Sequence, residues 1–108
     1  MLRVSAACVT LILLSNTALA ANGESAAARG KLLVERLCGQ CHATGISQAS
    51  PHPAAPTFRR LGNRIDLDAI GDRLRQGLFS GHRDMPEFRL TREEARAVRI
   101  YLRNIQSR

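Results

Sequence analysis

The sequence has no tryptophan, one tyrosine and three phenylalanines in 108 residues. So few large aromatics leave an interior of this size short of apolar bulk. They also give no aromatic interleaving among the basic residues, which argues against nucleic acid as a partner. No stretch alternates apolar and polar residues in the strand pattern, so no strand is expected. Repeats and low-complexity tracts are absent. The leading apolar run, the eleven residues from Val4 to Leu14, is too short to span a bilayer comfortably. Cysteines number three, and of the two methionines one is the first residue.

What is present begins with a targeting pattern. Arg3 supplies a short positive start, the run from Val4 to Leu14 is apolar, and Ala18-Leu19-Ala20 has the small-x-small form of a signal-peptidase site. Residues 1–20 are therefore expected to be a cleavable signal peptide and residues 21–108 a single domain. Cys8 lies inside the apolar run and reads as a small apolar filler. The remaining 88 residues carry 15 basic and 9 acidic side chains, a net charge of +6. A domain this small buries a marginal core and usually needs a staple.

The other two cysteines sit in Cys38-Gly39-Gln40-Cys41-His42, the C-x-x-C-H pattern that attaches a c-type haem. Two thiols three residues apart can reach the two vinyl groups of one haem and form thioethers. The following imidazole is then placed to ligate the iron. A thioredoxin-like dithiol would want strands around it. A structural zinc site would need a fourth ligand beyond Cys38, Cys41 and His42, with His52 and His82 as candidates. A covalent haem answers both shortages noted above, as staple and as apolar bulk, and its attachment outside the bacterial cytoplasm agrees with the export signal.

Around this motif the pattern is helical. Asn22 reads as the cap of a first helix that carries Ala26, Gly30, Leu33 and Leu37 on one face, widened by Ala27 and Val34, and runs into Cys38. Gly30 is costly inside a helix and suggests a close backbone neighbour. Residues 42–58 hold three prolines and read as a loop around the His42 side of the haem, where the carbonyl of Pro56 is the expected acceptor for the second His42 nitrogen. A short helical turn is expected over Thr57–Leu61. Asp66 caps a second helix with Leu67, Ile70, Leu74 and Leu78 on one face, ended by Gly77, and Ile65 with Ile70 form a hydrophobic staple. Thr91 and Glu94 make a capping box for a last helix reaching Ile105, with Ala95, Val98, Tyr101, Leu102 and Ile105 inward and Arg92, Arg96, Arg99 and Arg103 on a solvated face. Between these helices Met85 lies in a polar loop before Pro86, which stiffens the backbone there. A thioether held this way suits a second axial ligand and is preferred over His82, while His52 reads as a solvated loop residue.

Taken together, the CGQCH motif, Gly30 eight residues before Cys38, Ala55-Pro56-Thr57-Phe58, the segment from Gly81 to Phe88 and the last helix resemble the class I c-type cytochromes of the small bacterial monohaem kind. The resemblance covers almost all of residues 21–108. It implies an all-α cytochrome c fold, three main helices plus loops wrapped around one covalently attached haem. It also implies thioethers at Cys38 and Cys41, iron ligands His42 and Met85, and Pro56 orienting His42. Gly30 would pack against Val98 and Tyr101 where the first and last helices cross. The family often has an aromatic residue where Val34 stands, so a thinner crossing is expected here.

The function this implies is a periplasmic, non-enzymatic single-electron carrier with one haem c and its iron. It would be monomeric, without stable membrane insertion once the signal is cleaved. Its redox partners would carry acidic docking patches, with Arg36 and Arg83 as the arginines to test. The alternatives are an electron-accepting subunit of a larger dehydrogenase, a haem enzyme or gas sensor with a displaceable distal ligand, and a non-haem zinc or dithiol protein.

Overall fold

A computed structural model of the chain describes residues 17–78 and 81–107, with side chains from residue 26 onward. The expected leader therefore lies almost wholly outside the described residues, Cys8 included. Three α-helices follow one another: α1 (Thr17–Cys38), α2 (Leu67–Gln76) and α3 (Arg92–Asn104), with a 3₁₀ helix at Phe58–Asn63. Among the described residues there is no strand, only an isolated bridge between Leu78 and Phe88.

The first helix starts earlier than its capping signal suggests. It begins at Thr17, so Asn22 is an interior residue and not a cap. Ala18, Ala20 and Ala21 are the strongest helix formers, and one Asn inside costs only tenths of a kcal/mol, roughly 0.7 at most. Elsewhere local chemistry sets the ends as expected. The Asp66 side chain accepts from the Asp68 N–H at the start of α2. Gly77, at φ +105°, closes α2 in a conformation that L side chains rarely adopt. At α3 the Thr91 hydroxyl accepts from the Glu94 N–H, and the Glu94 carboxylate accepts from the Thr91 N–H.

The core is the seam between α1 and α3, closed from the side by α2. Leu33, Val34, Phe58, Ile70, Leu74, Ala95, Val98, Tyr101 and Leu102 form one buried cluster. Val34 and Leu102 are the largest side chains with almost no exposure, each worth about 1.5–3 kcal/mol of apolar burial. Gly30 does lie at the crossing with Tyr101 as one expected neighbour, and the closest approach there is to the backbone of Ala97. A Cβ added at Gly30 would stand 2.0 Å from the Ala97 carbonyl oxygen and 3.0 Å from Tyr101 Cβ. Ala97 itself is 2% exposed.

The basic face of α3 is only partly solvated. Arg99 and Arg103 both reach Asp68 on α2, and Arg29 on α1 pairs with Glu93 at the other end of α3. Such exposed pairs contribute little each, about 0–1 kcal/mol. Beyond α3, Gln106 donates to the carbonyls of Phe58 and Leu102 and accepts from the Gly62 N–H. Ser107 N–H donates to the Arg59 carbonyl. The chain's last residues thus fasten the 3₁₀ helix that follows the His42 loop.

Candidate functional site

A cavity of about 730 Å³ opens beside the α1–α3 seam. Its apolar walls include Leu33, Val34, Leu37, Phe58, Leu74, Val98 and Leu102, so much of the core is also cavity wall. Cys38, Cys41, His42, Pro56 and Met85 all line it, as do His52 and His82. The volume is within the roughly 300–1,000 Å³ typical of cofactor and ligand sites. Among the described residues no cluster of three or more His, Cys, Asp or Glu side chains is arranged to hold a metal ion.

The end of α1 delivers the motif. The Cys38 carbonyl accepts from the N–H groups of both Cys41 (3.2 Å) and His42 (2.9 Å), so the chain turns sharply and both thiols and the imidazole border one space. Neither thiol is in a disulfide. Burial pushes the Cys38 thiol up to about 11. A redox dithiol needs the reverse, a thiolate stabilised near neutral pH. The environment therefore keeps Cys38 a protonated thiol facing an apolar cavity.

His42 is held from several directions. Its Nδ1–H donates to the Pro56 carbonyl at 2.7 Å. That bond assigns the proton to Nδ1 and leaves Nε2 with a free lone pair. The Phe58 ring lies with its centroid 4.6 Å from the imidazole, tilted by 33°. The flanking backbone is fixed as well. Cys41 O accepts from His52 N–H, Ala43 N–H donates to Ser50 Oγ, and Ala43 O accepts from Phe58 N–H. The buried Tyr101 hydroxyl donates to the Thr44 carbonyl at 2.6 Å, across 57 positions of sequence. Burial, and then the Glu35 carboxylate, raise the Tyr101 pKa and keep the phenol a donor.

These supports were only partly visible in the sequence. Pro56 was readable from the prolines after His42. The Phe58 stacking and the Ser50 contact had no distinctive signal. Tyr101 did have one: a single Tyr on an apolar helical face needs a partner for its hydroxyl. His52 departs from expectation. It is not a solvated loop residue but half-buried, with Nε2 3.5 Å from Asp84 Oδ2.

The loop containing Met85 is tied at its base. Leu78 N–H donates to Phe88 O at 2.8 Å, and Leu90 N–H to Leu74 O at 2.7 Å. Within the loop Met85 N–H donates to His82 O. Met85 is partly buried while its neighbours Asp84 and Pro86 are exposed.

The donor set and its surroundings fit a haem. Two reduced thiols, an imidazole with one nitrogen committed and the other free, and a thioether border one cavity with predominantly apolar walls. Comparison with known proteins agrees. Residues 25–102 match the family described as cytochrome c oxidase, cbb3-type, subunit III. The chain is 32% identical over 92 residues to cytochrome c-552 of Bradyrhizobium diazoefficiens, covering 85% of this chain and 83% of that one. No solved structure matches it significantly. With the family and the donor set in agreement, the chain belongs to the small c-type monohaem cytochromes, electron-transfer proteins built on covalently held haem c and its iron.

Proposed function

We propose that the chain is a periplasmic single-electron carrier, with residues 1–20 removed on export and residues 21–108 holding one haem c. Cys38 and Cys41 form the thioethers, His42 and Met85 ligate the iron, and the Pro56 carbonyl orients His42. When bound, the group supplies reversible one-electron exchange at its iron. The single observation that carries this reading is the cavity that Cys38, Cys41, His42 and Met85 share.

The chain's own residues account for the rest of the behaviour. The Nδ1–H bond to Pro56 fixes the ring plane and makes Nε2 more basic. Apolar walls exclude water and favour the less charged oxidation state. A thioether as second ligand raises the reduction potential. With two protein ligands fixed by loops, no position is left for substrate, so the chain alone performs no catalysis. No helix among the described residues is long and apolar enough to cross a membrane. Arg36 and Arg83 are exposed beside the motif and the Met85 loop, and they are the proposed contacts for an acidic patch on a redox partner.

The test is the absorption spectrum of exported, purified protein: oxidised, reduced, and reduced under carbon monoxide. A low-spin reduced c-type spectrum, a weak red Met-to-iron band when oxidised and no prompt shift on adding carbon monoxide are expected. A high-spin spectrum or ready carbon monoxide binding would overturn His42/Met85 ligation. The family description, an oxidase subunit, favours a second reading, an electron-accepting subunit of a larger redox complex. Co-purification from native membranes and periplasm separates subunit from free carrier.

A further inference from the structure

We infer that His52 is a positioning residue for Met85, acting through Asp84 as a strap between the His42 loop and the Met85 loop. The inference rests on the ligation proposed above and goes beyond it by naming what holds the distal loop in place.

The loop containing Met85 is fastened to α2 at its base. Its middle, from His82 to Met85, lies away from those bonds. Here the His42 loop reaches across. His52 is anchored at both of its polar ends. Its backbone N–H donates to the Cys41 carbonyl at 3.1 Å, one residue from His42. Its Nδ1 accepts from the Ala54 N–H at 3.1 Å. An accepting Nδ1 places the ring proton on Nε2. That N–H is the one near Asp84, with Nε2 3.5 Å from Oδ2. The interaction needs no protonation of the ring, since the neutral tautomer already presents a donor to the carboxylate.

On the other side, Asp84 is the residue before Met85, and its N–H donates to His82 Nδ1 at 3.3 Å. The His82 ring stands edge-on to His52, with centroids 6.1 Å apart. The prolines on either side of His52, Pro51 and Pro53, stiffen the backbone from which it reaches. A stiff arm rooted beside His42 therefore grips the residue adjacent to Met85, and both loops border the same cavity. Such a strap limits excursions of the Met85 loop and so how often the distal ligand leaves the iron.

The test uses the haem-loaded protein and measures the rate at which the ferrous form binds carbon monoxide, which requires Met85 to leave. The contact joins two partly exposed groups, so His52→Ala should raise the rate only modestly, roughly two- to fivefold. Asp84→Ala should give the same increase, and the double variant no more than either single one. His52→Gln, whose amide can both accept from Ala54 N–H and donate to Asp84, should restore the slow rate. Arg103→Ala removes an exposed pair on α3 and should leave the rate unchanged, which separates loop positioning from general loss of stability. Unchanged rates in both single variants, or fully additive increases, overturn the strap. If His52→Ala does not accumulate as holoprotein, Asp84→Ala decides alone. Met85→Ala is run alongside. If it leaves the red band of the oxidised protein intact, the ligand assignment itself has failed. If it abolishes the band while His52→Ala and Asp84→Ala bind carbon monoxide at the wild-type rate, only the strap has failed.

Discussion

Replacing Gly30 by Ala pits two opposing effects against each other, and the structure says which wins. Gly30 is in the interior of α1, where Ala is favoured by about 1 kcal/mol on helix propensity alone. Its new methyl group, however, would meet the Ala97 carbonyl oxygen at 2.0 Å and the Ala97 carbonyl carbon at 2.6 Å. Comfortable contacts lie near 3.5 Å, so the two helices must part by more than about 1 Å. The obstacle is helical backbone, which cannot rotate aside as a side chain would. Overpacking of this kind costs about 1–3 kcal/mol and sometimes more, and the upper end applies here. The net effect is a loss of about 2 kcal/mol. Gly71, inside α2, supplies the control. A Cβ there has Arg99 Cδ at 3.9 Å as its nearest neighbour, so Gly71→Ala keeps the propensity gain without the clash. The two variants should differ by about 3 kcal/mol, on the order of 15 °C in Tm for a domain of this size. Denaturant unfolding of the haem-loaded proteins, followed by far-ultraviolet circular dichroism, measures the difference. Equal stabilisation by both substitutions would refute the close crossing.

Met85→Ala should keep the covalent haem through denaturing extraction, lower the reduction potential and open the iron to carbon monoxide, read by redox titration and by the spectrum. Tyr101→Phe removes the donor to the Thr44 carbonyl and should cost about 1–3 kcal/mol in denaturant unfolding, because the carbonyl it leaves is buried. Thr91→Ala removes the hydroxyl half of the α3 capping box, leaves the backbone N–H bond to Glu94, and should cost about 1 kcal/mol in the same assay, with the haem spectrum unchanged. Cys38→Ser and Cys41→Ser together should yield a chain without covalent haem that lacks most of its helical circular dichroism.

The local signals in this sequence were strong where one residue decides a conformation. Asp66, Gly77 and the Thr91/Glu94 pair each mark a helix end by their own hydrogen bonds or φ, and the structure places them there. Gly30 suggested a close approach because glycine is costly inside a helix, although Gly71, inside α2 without a close neighbour, shows that the signal is not unique to a crossing. Tyr101 was foreseen as its neighbour, while the still closer approach to the Ala97 backbone depends on how the helices rotate against each other. The start of α1 was misplaced for a related reason: Asn22 is a good cap, but alanines before it make continuation as favourable as capping. What stayed hidden were contacts between distant loops. Thr44 with Tyr101, and His52 with Asp84, are set by how two segments approach in space, and no periodicity within either segment records that.

The same side chains serve stability and function, and the cavity shows why they cannot be separated. Leu33, Val34, Val98 and Leu102 belong to the buried cluster and also wall the cavity. The cavity is partly open, so without an apolar occupant its apolar wall would face water, which is unfavourable. Three phenylalanines and one tyrosine cannot close the space themselves. The helix ends, the crossing at Gly30 and the fastened His42 loop therefore define a shell whose interior a haem, on the attachment proposed at Cys38 and Cys41, would complete. A substitution on the inner face of α1 or α3 acts on both at once. It loosens the fold because it loosens the walls, and it alters the iron's surroundings for the same reason.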